Sequence, residues 1–364
     1  MKNRTWLSVG FALLPIIASL VITSVLIIAV GSNPVDVFVA VTEGAFRDSR
    51  AFAGVVNFWI PLALCSLGLI VTFTAGLWNI GVEGQMMVGA VFASYAALFI
   101  DLPGPVLIVV EILLAMLGGA LWAGLVGFLK TRLAVHEIFG GVALNALANV
   151  WAIYLISGPW APPSGGTAQA TAPFKESAVL PPISPEFPVS LIALLLVTAG
   201  LVLITFALSG TRWGLQLKAT GKNSRSALLL GVPTNRSAIS ALVVCGALAG
   251  IAGSYRVLFT YESLRPLASG GIGFLALLVV LLVGLRPLFA TLVGLAFAVI
   301  LAGSTRLKVA LQLDQSLAGV LQGFIVLLVL LSNGLRQRFT PEPTGVETPK
   351  PTATVEIQRT QEHG

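Results

Sequence analysis

The sequence predicts an all-α, polytopic membrane protein with about ten transmembrane helices. Hydrophobic residues make up 56% of the 364 residues, and charged residues only 10%. A soluble chain would need roughly a quarter of its residues charged to solvate its surface. The apolar residues also form long runs with few charges, each close to the roughly 20 residues that cross a hydrocarbon core. In membrane proteins an excess of Lys and Arg usually lies in cytoplasmic loops. We therefore attribute the net charge of +6 to such loops and predict no nucleic-acid partner.

Apolar runs define the individual spans. The first run follows Lys2 and Arg4 and exceeds the roughly 7–15 apolar residues of a signal peptide, so we interpret it as an uncleaved span. Lys and Arg are more numerous on the side of the N-terminus than on the other side, which predicts cytoplasmic N- and C-termini in the cell membrane. The predicted spans are residues 9–31, 55–75, 85–100, 105–129, 137–157, 189–208, 237–259, 272–285, 288–304 and 316–333.

Residues 1–339 form one predicted transmembrane domain with two unusual loops. Loop 158–188 contains "GPWAPPSGG" and "LPPISPEFP", and its prolines favour an irregular extracellular surface over another span. Loop 209–236 is basic and predicts one or two short amphipathic helices in the cytoplasm. These helices serve either as a charged anchor or as a docking surface for a cytoplasmic partner. Residues 340–364 are polar and rich in Pro and Thr, which predicts a disordered cytoplasmic tail.

Two polar, glycine-rich gaps suggest an internal repeat. The gap "GLWNIGVEG" precedes span 85–100, and "YESLRPLASGG" precedes span 272–285. Both spans are short for a full crossing. Matching interrupted segments in two halves point to a transport site near the middle of the bilayer, so the predicted fold has two inverted repeats with interrupted helices. The patterns "LGGALWAG" and "GALAG" predict close contacts between helices.

The first gap carries polar residues that a simple membrane span does not need. Trp78 is either an interfacial anchor or a stacking surface beside the hydrogen-bonding amide of Asn79. Glu83 has a partner and a functional role if it lies within the membrane, or caps a half-helix if it lies at the cytoplasmic end, since acids favour helix N-termini. Asn145 and Asn149 are four residues apart and share one helix face. They either join helices or face a polar path.

Together these residues predict a polar and aromatic lining for a path through the bundle. The candidate lining is Trp78, Asn79, Glu83, Gln85, Asn145, Asn149 and Phe274.

The sequence predicts no catalytic residue, cofactor or metal site. It has no phosphate-binding loop of the form G-x-x-x-x-G-K-[ST]. His136 and His363 cannot form a metal cluster, and Cys65 and Cys245 both lie in apolar runs. Two other classes remain open: a membrane scaffold or receptor, and a secondary transporter. A secondary transporter usually carries an acid or His relay within the membrane, and only Glu83 offers one.

The motif "GLWNIGVEGQMMVGA" resembles the G-L-x-N-I-G-x-E-G-Q signature of ABC-importer permeases. The resemblance is to the branched-chain amino acid and ribose class, in its nucleoside and simple-sugar subgroup. Further similar stretches are "HEIFGGVALNALANVWAIYLISGP", "GLQLKATGKNSRSALLLGVP", "CGALAGIAGS" and "GGIGFLALLVVLLVGLRPL". They occur in the family's order and cover about residues 55–300, so together they are specific.

The resemblance implies a nucleoside, a simple sugar or a branched-chain amino acid as the solute. The amides and aromatic rings of the candidate lining suit a nucleoside better than a simple sugar, since rings stack on nucleobases. A branched-chain amino acid would need partners for its ammonium and carboxylate groups, and this lining contains no cation.

The resemblance implies a fold like that of type II ABC importers and a set of partners. These are a second permease subunit, expected to be a paralogue in a heterodimer, two cytoplasmic ATP-binding subunits, and an extracellular solute-binding lipoprotein. It also implies that residues 212–231 form the coupling helices on the ATPases. A bulky or charged side chain at Gly221 or Ala227 is therefore expected to uncouple the complex. The residues assigned to coupling are Arg212, Lys218, Gly221, Asn223, Ala227 and Gly231.

Overall fold

A computed structural model describes residues 17–29, 31–162, 169–312 and 316–339. These residues form helices joined by turns and loops, with no β-strand among them, as the sequence predicts. The start of the first predicted span, part of loop 158–188 and the whole of the predicted tail, residues 340–364, lie outside the described residues.

The helices follow the predicted spans closely, with additional short elements between them. They are α1 (Ile17–Ala29), α2 (Pro34–Phe46), α3 (Ser49–Thr74), α4 (Val82–Phe99), α5 (Gly104–Leu133), α6 (Glu137–Ser157), α7 (Leu191–Gly210), α8 (Arg212–Lys222), α9 (Ser224–Leu229), α10 (Thr234–Tyr255), α11 (Ile272–Val283), α12 (Pro287–Ala310) and α13 (Ser316–Phe339). A π-helical turn, Arg256–Tyr261, extends α10, and a 3₁₀ turn covers Glu176–Ala178.

Among the described residues, seven helices are long and apolar enough to cross a membrane. Helices α1 and α2 would supply an eighth span if counted together, although a bend of 108° separates them. Two predicted spans fall short by this measure, because α11 has 12 residues and the apolar part of α13 covers only Gln322–Ser332. The structure therefore supports a multi-pass helical protein with seven to eight such spans, and the count of ten stays a prediction.

Helix α2 lies in a stretch where the sequence predicted a connection. Its start has the features of a helix N-terminus: the Asn33 side chain accepts a hydrogen bond from the N–H of Val35 at 3.0 Å, and Pro34 occupies the first helical position. Asn is a preferred N-cap residue, and Pro fits the first turn because its missing N–H has no helical partner there. The signal is the dipeptide Asn-Pro.

Helices α3, α4 and α10 form the buried centre of the bundle, and α5 packs closely on them. Glycines bring these helices together. A Cβ on Gly119 of α5 would collide with the backbone of Gly246 on α10, and a Cβ on Gly89 of α4 would collide with Gly250. The close contacts predicted from the small-residue patterns are thus confirmed.

Candidate functional site

The helix that begins at Ser49 ends in a glycine cap, and the chain resumes as a helix only at Val82. Gly76 has a positive φ of 74°, which glycine adopts without steric cost. The N–H of Leu77 then donates to the carbonyl oxygen of Thr72 at 2.9 Å, as in a common helix-ending motif. Residues 75–81, hereafter the α3–α4 break, lie where the sequence predicts the gap at residues 76–84, although helix α4 already begins at Val82.

The α3–α4 break rises from one end of the bundle to its middle. We call the end that carries Lys130, Arg132 and helices α8 and α9 the basic end. Gly76 lies against α8 there, because a Cβ on Gly76 would be 3.1 Å from the Cα of Gly221. Three residues later, the Asn79 amide nitrogen is 3.1 Å from the sulfur of Cys245, at the midpoint of α10. Other parts of this chain therefore cover the irregular backbone of the break, which is the condition for irregular backbone at membrane depth.

Two predicted site residues, Asn79 and Gln85, hold the break in place. Each side-chain amide donates to the carbonyl oxygen of the other, at 3.0 Å and 2.9 Å. Both side chains are buried. This reciprocal pair satisfies polar groups that would otherwise cost free energy in an apolar interior, and it joins the break to the first turn of α4.

Asn145 connects helix α6 to the same break. Its oxygen accepts a hydrogen bond from the N–H of Gly84 at 2.8 Å, and its nitrogen donates to the carbonyl oxygen of Ile80 at 2.9 Å. One turn earlier on α6, a Cβ on Gly141 would be 2.7 Å from the backbone nitrogen of Gly81. A glycine at position 141 is needed for this close approach.

Glu83 joins the two interrupted segments of the chain. One carboxylate oxygen accepts a hydrogen bond from the N–H of Gly271 and the other from the N–H of Gly273, both at 2.7 Å. These N–H groups belong to the N-terminus of α11, where a carboxylate is favoured by free N–H groups and by the helix dipole. Glu83 therefore caps a helix N-terminus, but it does so inside the bundle and not at the cytoplasmic end, where the capping role was expected. Contact with solute stays a prediction.

Helix α11 is a half-spanning helix that begins in the middle of the bundle. Its 12 residues extend about 18 Å, compared with the roughly 30 Å of a hydrocarbon core. Because its N-terminus lies at Glu83, the N-termini of α4 and α11 meet at the same place. This arrangement corresponds to the two matched gaps that the sequence predicts.

Arg256 is a buried cation that the sequence interpretation missed. Its Nε donates to the carbonyl oxygen of Ala268 at 3.2 Å, and its Nη2 contacts the hydroxyl of Tyr261. The guanidinium also lies over the rings of Tyr261 and Phe58, at 4.5 Å and 5.6 Å from their centroids. Arg256 and Glu83 thus hold the loop before α11 from both sides. Its position within the predicted span 237–259 was a signal, because charges in spans usually have a function.

Other members of the predicted lining have open surfaces. Trp78 is 47% exposed and Phe274 is 46% exposed. The Trp78 ring contacts Phe73 edge-on, with centroids 5.2 Å apart. Asn149 is half-buried and donates to the carbonyl oxygen of Asn145 at 3.3 Å, and its own side-chain oxygen has no partner within the described residues. Trp78 and Phe274 therefore have exposed ring surface, whereas the unpartnered oxygen of Asn149 is buried.

The basic loop folds into helices α8 and α9, as predicted. Arg212 and Lys218 are exposed, and the Asn223 side chain caps α9 by accepting from the N–H of Ser226 at 2.9 Å. Gly231 has a φ of 82° and follows the end of α9. Beneath the surface, the Trp213 indole N–H donates to the hydroxyl of Ser240 at 2.9 Å and anchors α8 to α10.

Gly221 and Ala227 pack inside the chain. A Cβ on Gly221 would collide with the carbonyl oxygen of Thr74, and Ala227 is only 3% exposed. A bulky or charged side chain at either position would therefore disturb the packing of this chain itself, and an effect on partner binding stays a prediction. Sequence reasoning missed the apolar residues that α8 and α9 do present to the outside, which are Leu215, Leu228, Leu229 and Leu230.

The chain resembles known permeases over most of its length. Residues 51–330 match the family described as "Branched-chain amino acid transport system / permease component". This match confirms the resemblance seen in the motifs. The family consists of permease components rather than enzymes. No solved structure matches the chain.

Individual relatives extend the comparison. The chain is 29% identical over 314 residues to the glucose ABC transporter permease protein TsgB13 of Haloferax volcanii, covering 84% of this chain and 82% of the relative. It is 26% identical over 302 residues to the guanosine ABC transporter permease protein NupP of Bacillus subtilis, covering 81% and 84%. It is also 26% identical over 314 residues to the nucleoside ABC transporter permease protein NupB of Lactococcus lactis, covering 84% and 85%. The chain belongs to the family of branched-chain amino acid transport system permease components.

Proposed function

We propose that this chain is the membrane-spanning permease subunit of an ABC importer that carries nucleosides into the cell. The observation that supports this most directly is the meeting of the N-termini of α4 and of the 12-residue helix α11 at Glu83, beside a break that contacts helix α8. Broken helices in the middle of a bundle are typical of transport sites. A contact from that break to an exposed basic loop provides a route by which ATPase movement reaches the path.

The partners follow from this arrangement. Two ATP-binding subunits contact α8 and α9 at the basic end, which we place in the cytoplasm with both chain termini. A second permease subunit, a paralogue in a heterodimer, completes the path. A solute-binding lipoprotein delivers the solute at the opposite end, where loop 158–188 lies. The complex resides in the cell membrane.

Within the path, the predicted site residues take two roles. Trp78, Phe274 and Asn149 have exposed surface or an unpartnered oxygen, so we assign them to solute contact. Asn79, Glu83, Gln85 and Asn145 are buried and hydrogen-bonded. We assign them to holding the two broken segments in register, with solute contact only if the segments move during transport.

The solute is proposed from the chemistry of the path. Trp78 and Phe274 offer ring faces, and amides supply hydrogen bonds without fixed charge, which suits a nucleoside. A simple sugar is the second candidate, supported by the 29% identity to a glucose permease protein. A branched-chain amino acid is less well supported, because Arg256, beside the loop before α11, is buried and directed at Ala268 and Tyr261, and Lys130 is paired with Glu137.

The proposal is tested with the complete complex. The chain is co-expressed with candidate ATP-binding subunits, a second permease and a binding protein, purified and placed in liposomes. We expect vanadate-sensitive ATP hydrolysis and ATP-dependent uptake of labelled adenosine, with labelled glucose and leucine as comparisons. Uptake driven by a proton or sodium gradient without ATPases would indicate a secondary transporter. Leucine uptake without adenosine or glucose uptake would overturn the solute assignment.

A further inference from the structure

An aromatic cavity lies on the other side of the α3–α4 break from the basic end. Its volume is about 320 Å³, and it is bounded by helices α4, α5 and α6 and by Trp160, just after α6. This size is at the lower end of the roughly 300–1,000 Å³ of small-molecule pockets. Every side chain that lines it is aliphatic or aromatic, and none carries a formal charge. Its four rings are Phe92, Tyr95, Trp151 and Trp160.

The rings of the cavity are supported by other rings. Trp151 stacks on Trp122, with centroids 6.2 Å apart and planes 18° apart, and it meets Phe92 edge-on at 6.4 Å. Tyr95 lies 6.4 Å from Trp160. The Trp122 indole N–H donates to the carbonyl oxygen of Leu144 at 3.2 Å, so the ring that supports Trp151 is itself held in place. The walls are therefore positioned before any ligand arrives.

The cavity and the break lie on the same two helices. Helix α4 begins at the break and carries Tyr95 further along, and α6 carries both Asn145 and Trp151. Trp151 is six residues after Asn145, or about 9 Å along the helix axis. The cavity and the break therefore border the same two helices.

We propose that this cavity is a stacking subsite for the flat, uncharged part of the imported solute, a nucleobase, before the solute reaches the α3–α4 break. The inference depends on the proposed function. Aromatic side chains stack on any nucleobase, because every base has a π-face. A cavity without charge suits a neutral base. The ribose then lies at the open side of the cavity, which the second permease subunit completes.

A pair of neighbouring cysteine variants tests this occupancy. Leu114 lines the cavity. Leu113, the preceding residue of α5, is exposed and does not line it. Both native cysteines are buried, so they give little background reaction. Leu114→Cys and Leu113→Cys are each prepared in the complete complex in liposomes and treated with a charged, water-soluble thiol reagent. Leu155→Cys, at a second lining position, replaces Leu114→Cys if that variant does not assemble.

We expect the lining cysteine to react, adenosine to slow that reaction at least fivefold, and Leu113→Cys to show no adenosine effect. A lining cysteine that does not react with the charged reagent would mean that the cavity is filled by lipid, and would overturn the proposal. A reaction unaffected by adenosine would do the same. ATP-driven adenosine uptake by the parent complex is measured in parallel. Its absence would count against the proposed function, whereas uptake without protection would count against the subsite alone.

Discussion

The backbone of Gly221, near the end of α8, lies directly against Gly76 in the α3–α4 break. A Cβ on Gly76 would be 3.1 Å from the Cα of Gly221, and a Cβ on Gly221 would be 3.0 Å from the backbone nitrogen of Gly76. The helix that faces the cytoplasmic partners in our proposal thus touches the segment that contains Trp78 and Asn79. Movement of α8 cannot occur without displacing either this contact or the break.

Gly221→Ala is expected to destabilise the complex and to weaken coupling between ATP hydrolysis and uptake. The added methyl group collides with the carbonyl oxygen of Thr74, and overpacking of this kind costs about 1–3 kcal/mol. Thermal unfolding of the purified complex and the ratio of solute imported to ATP hydrolysed measure the two effects. Gly54→Ala is the matched control, because a Cβ there meets no atom within 4 Å. Equal behaviour of both variants would show that the contact has no role.

Glu83→Gln is expected to loosen the N-terminus of α11. The amide keeps one acceptor oxygen but directs N–H groups at the N–H of Gly271 or Gly273, so one buried donor loses its partner at a cost of about 1–3 kcal/mol. Thermal unfolding and uptake are both expected to fall. Glu111→Gln is the control. Glu111 is buried in α5, and neither of its carboxyl oxygens has a partner within the described residues, so its substitution is expected to be neutral or stabilising. Equal losses in both variants would contradict the capping role.

Sequence reasoning located the broken segments because their signals are local. Gly76 opens a glycine-rich stretch that interrupts an apolar run, and polar residues such as Asn79 and Glu83 stand out in an apolar chain. The signals of the basic loop are local too, because Thr211 and Asn223 cap the helices that begin directly after them.

Contacts between distant residues could not be predicted in this way. The partners of Glu83 lie 188 and 190 residues away, and nothing in the motif around Glu83 indicates α11. The packing of α8 and α9 against α3 and α10 decides which side chains face inward. It places Gly221 and Ala227 inside the chain and Leu229 on the outside. The aromatic cavity likewise forms only when α4, α5 and α6 are brought together.

Trp78→Ala and Asn79→Ala are expected to separate solute contact from structural support. Trp78 is half exposed, and its removal loses about 1 kcal/mol from the edge contact with Phe73, so the melting temperature should change little while adenosine uptake falls severalfold. Asn79→Ala leaves the buried amide of Gln85 without its partner, at about 1–3 kcal/mol, and should lower the melting temperature clearly. Phe206→Ala, at an exposed aromatic of α7, is the control. Unchanged uptake in Trp78→Ala would remove this ring from the path.

The double substitution Leu229→Ser and Leu230→Ser is expected to weaken ATPase binding at least tenfold. Both leucines are 83% exposed, and burying a leucine contributes about 1.5–3 kcal/mol, where 1.4 kcal/mol corresponds to about tenfold in affinity. Co-purification of the ATP-binding subunits with the chain measures the effect. Ile183→Ser makes a similar change at an exposed apolar residue of loop 158–188 and should leave ATPase binding intact. Full ATPase recovery with the double variant would show that α9 is an anchor only.

Tyr95→Leu is expected to reduce uptake of adenosine, and Tyr95→Phe to preserve it. Leucine keeps an apolar cavity wall but removes the ring face, and stacking of a base on an aromatic side chain contributes about 1–3 kcal/mol. The loss should therefore be about fivefold or more in uptake at a limiting adenosine concentration, normalised to assembled complex. Tyr154→Leu provides the matched control, since Tyr154 is an exposed aromatic residue of α6 that does not line the cavity. A similar loss in both leucine variants would indicate a general effect on the membrane face of the bundle. A loss in Tyr95→Phe as large as in Tyr95→Leu would show that the hydroxyl group, and not the ring, is required.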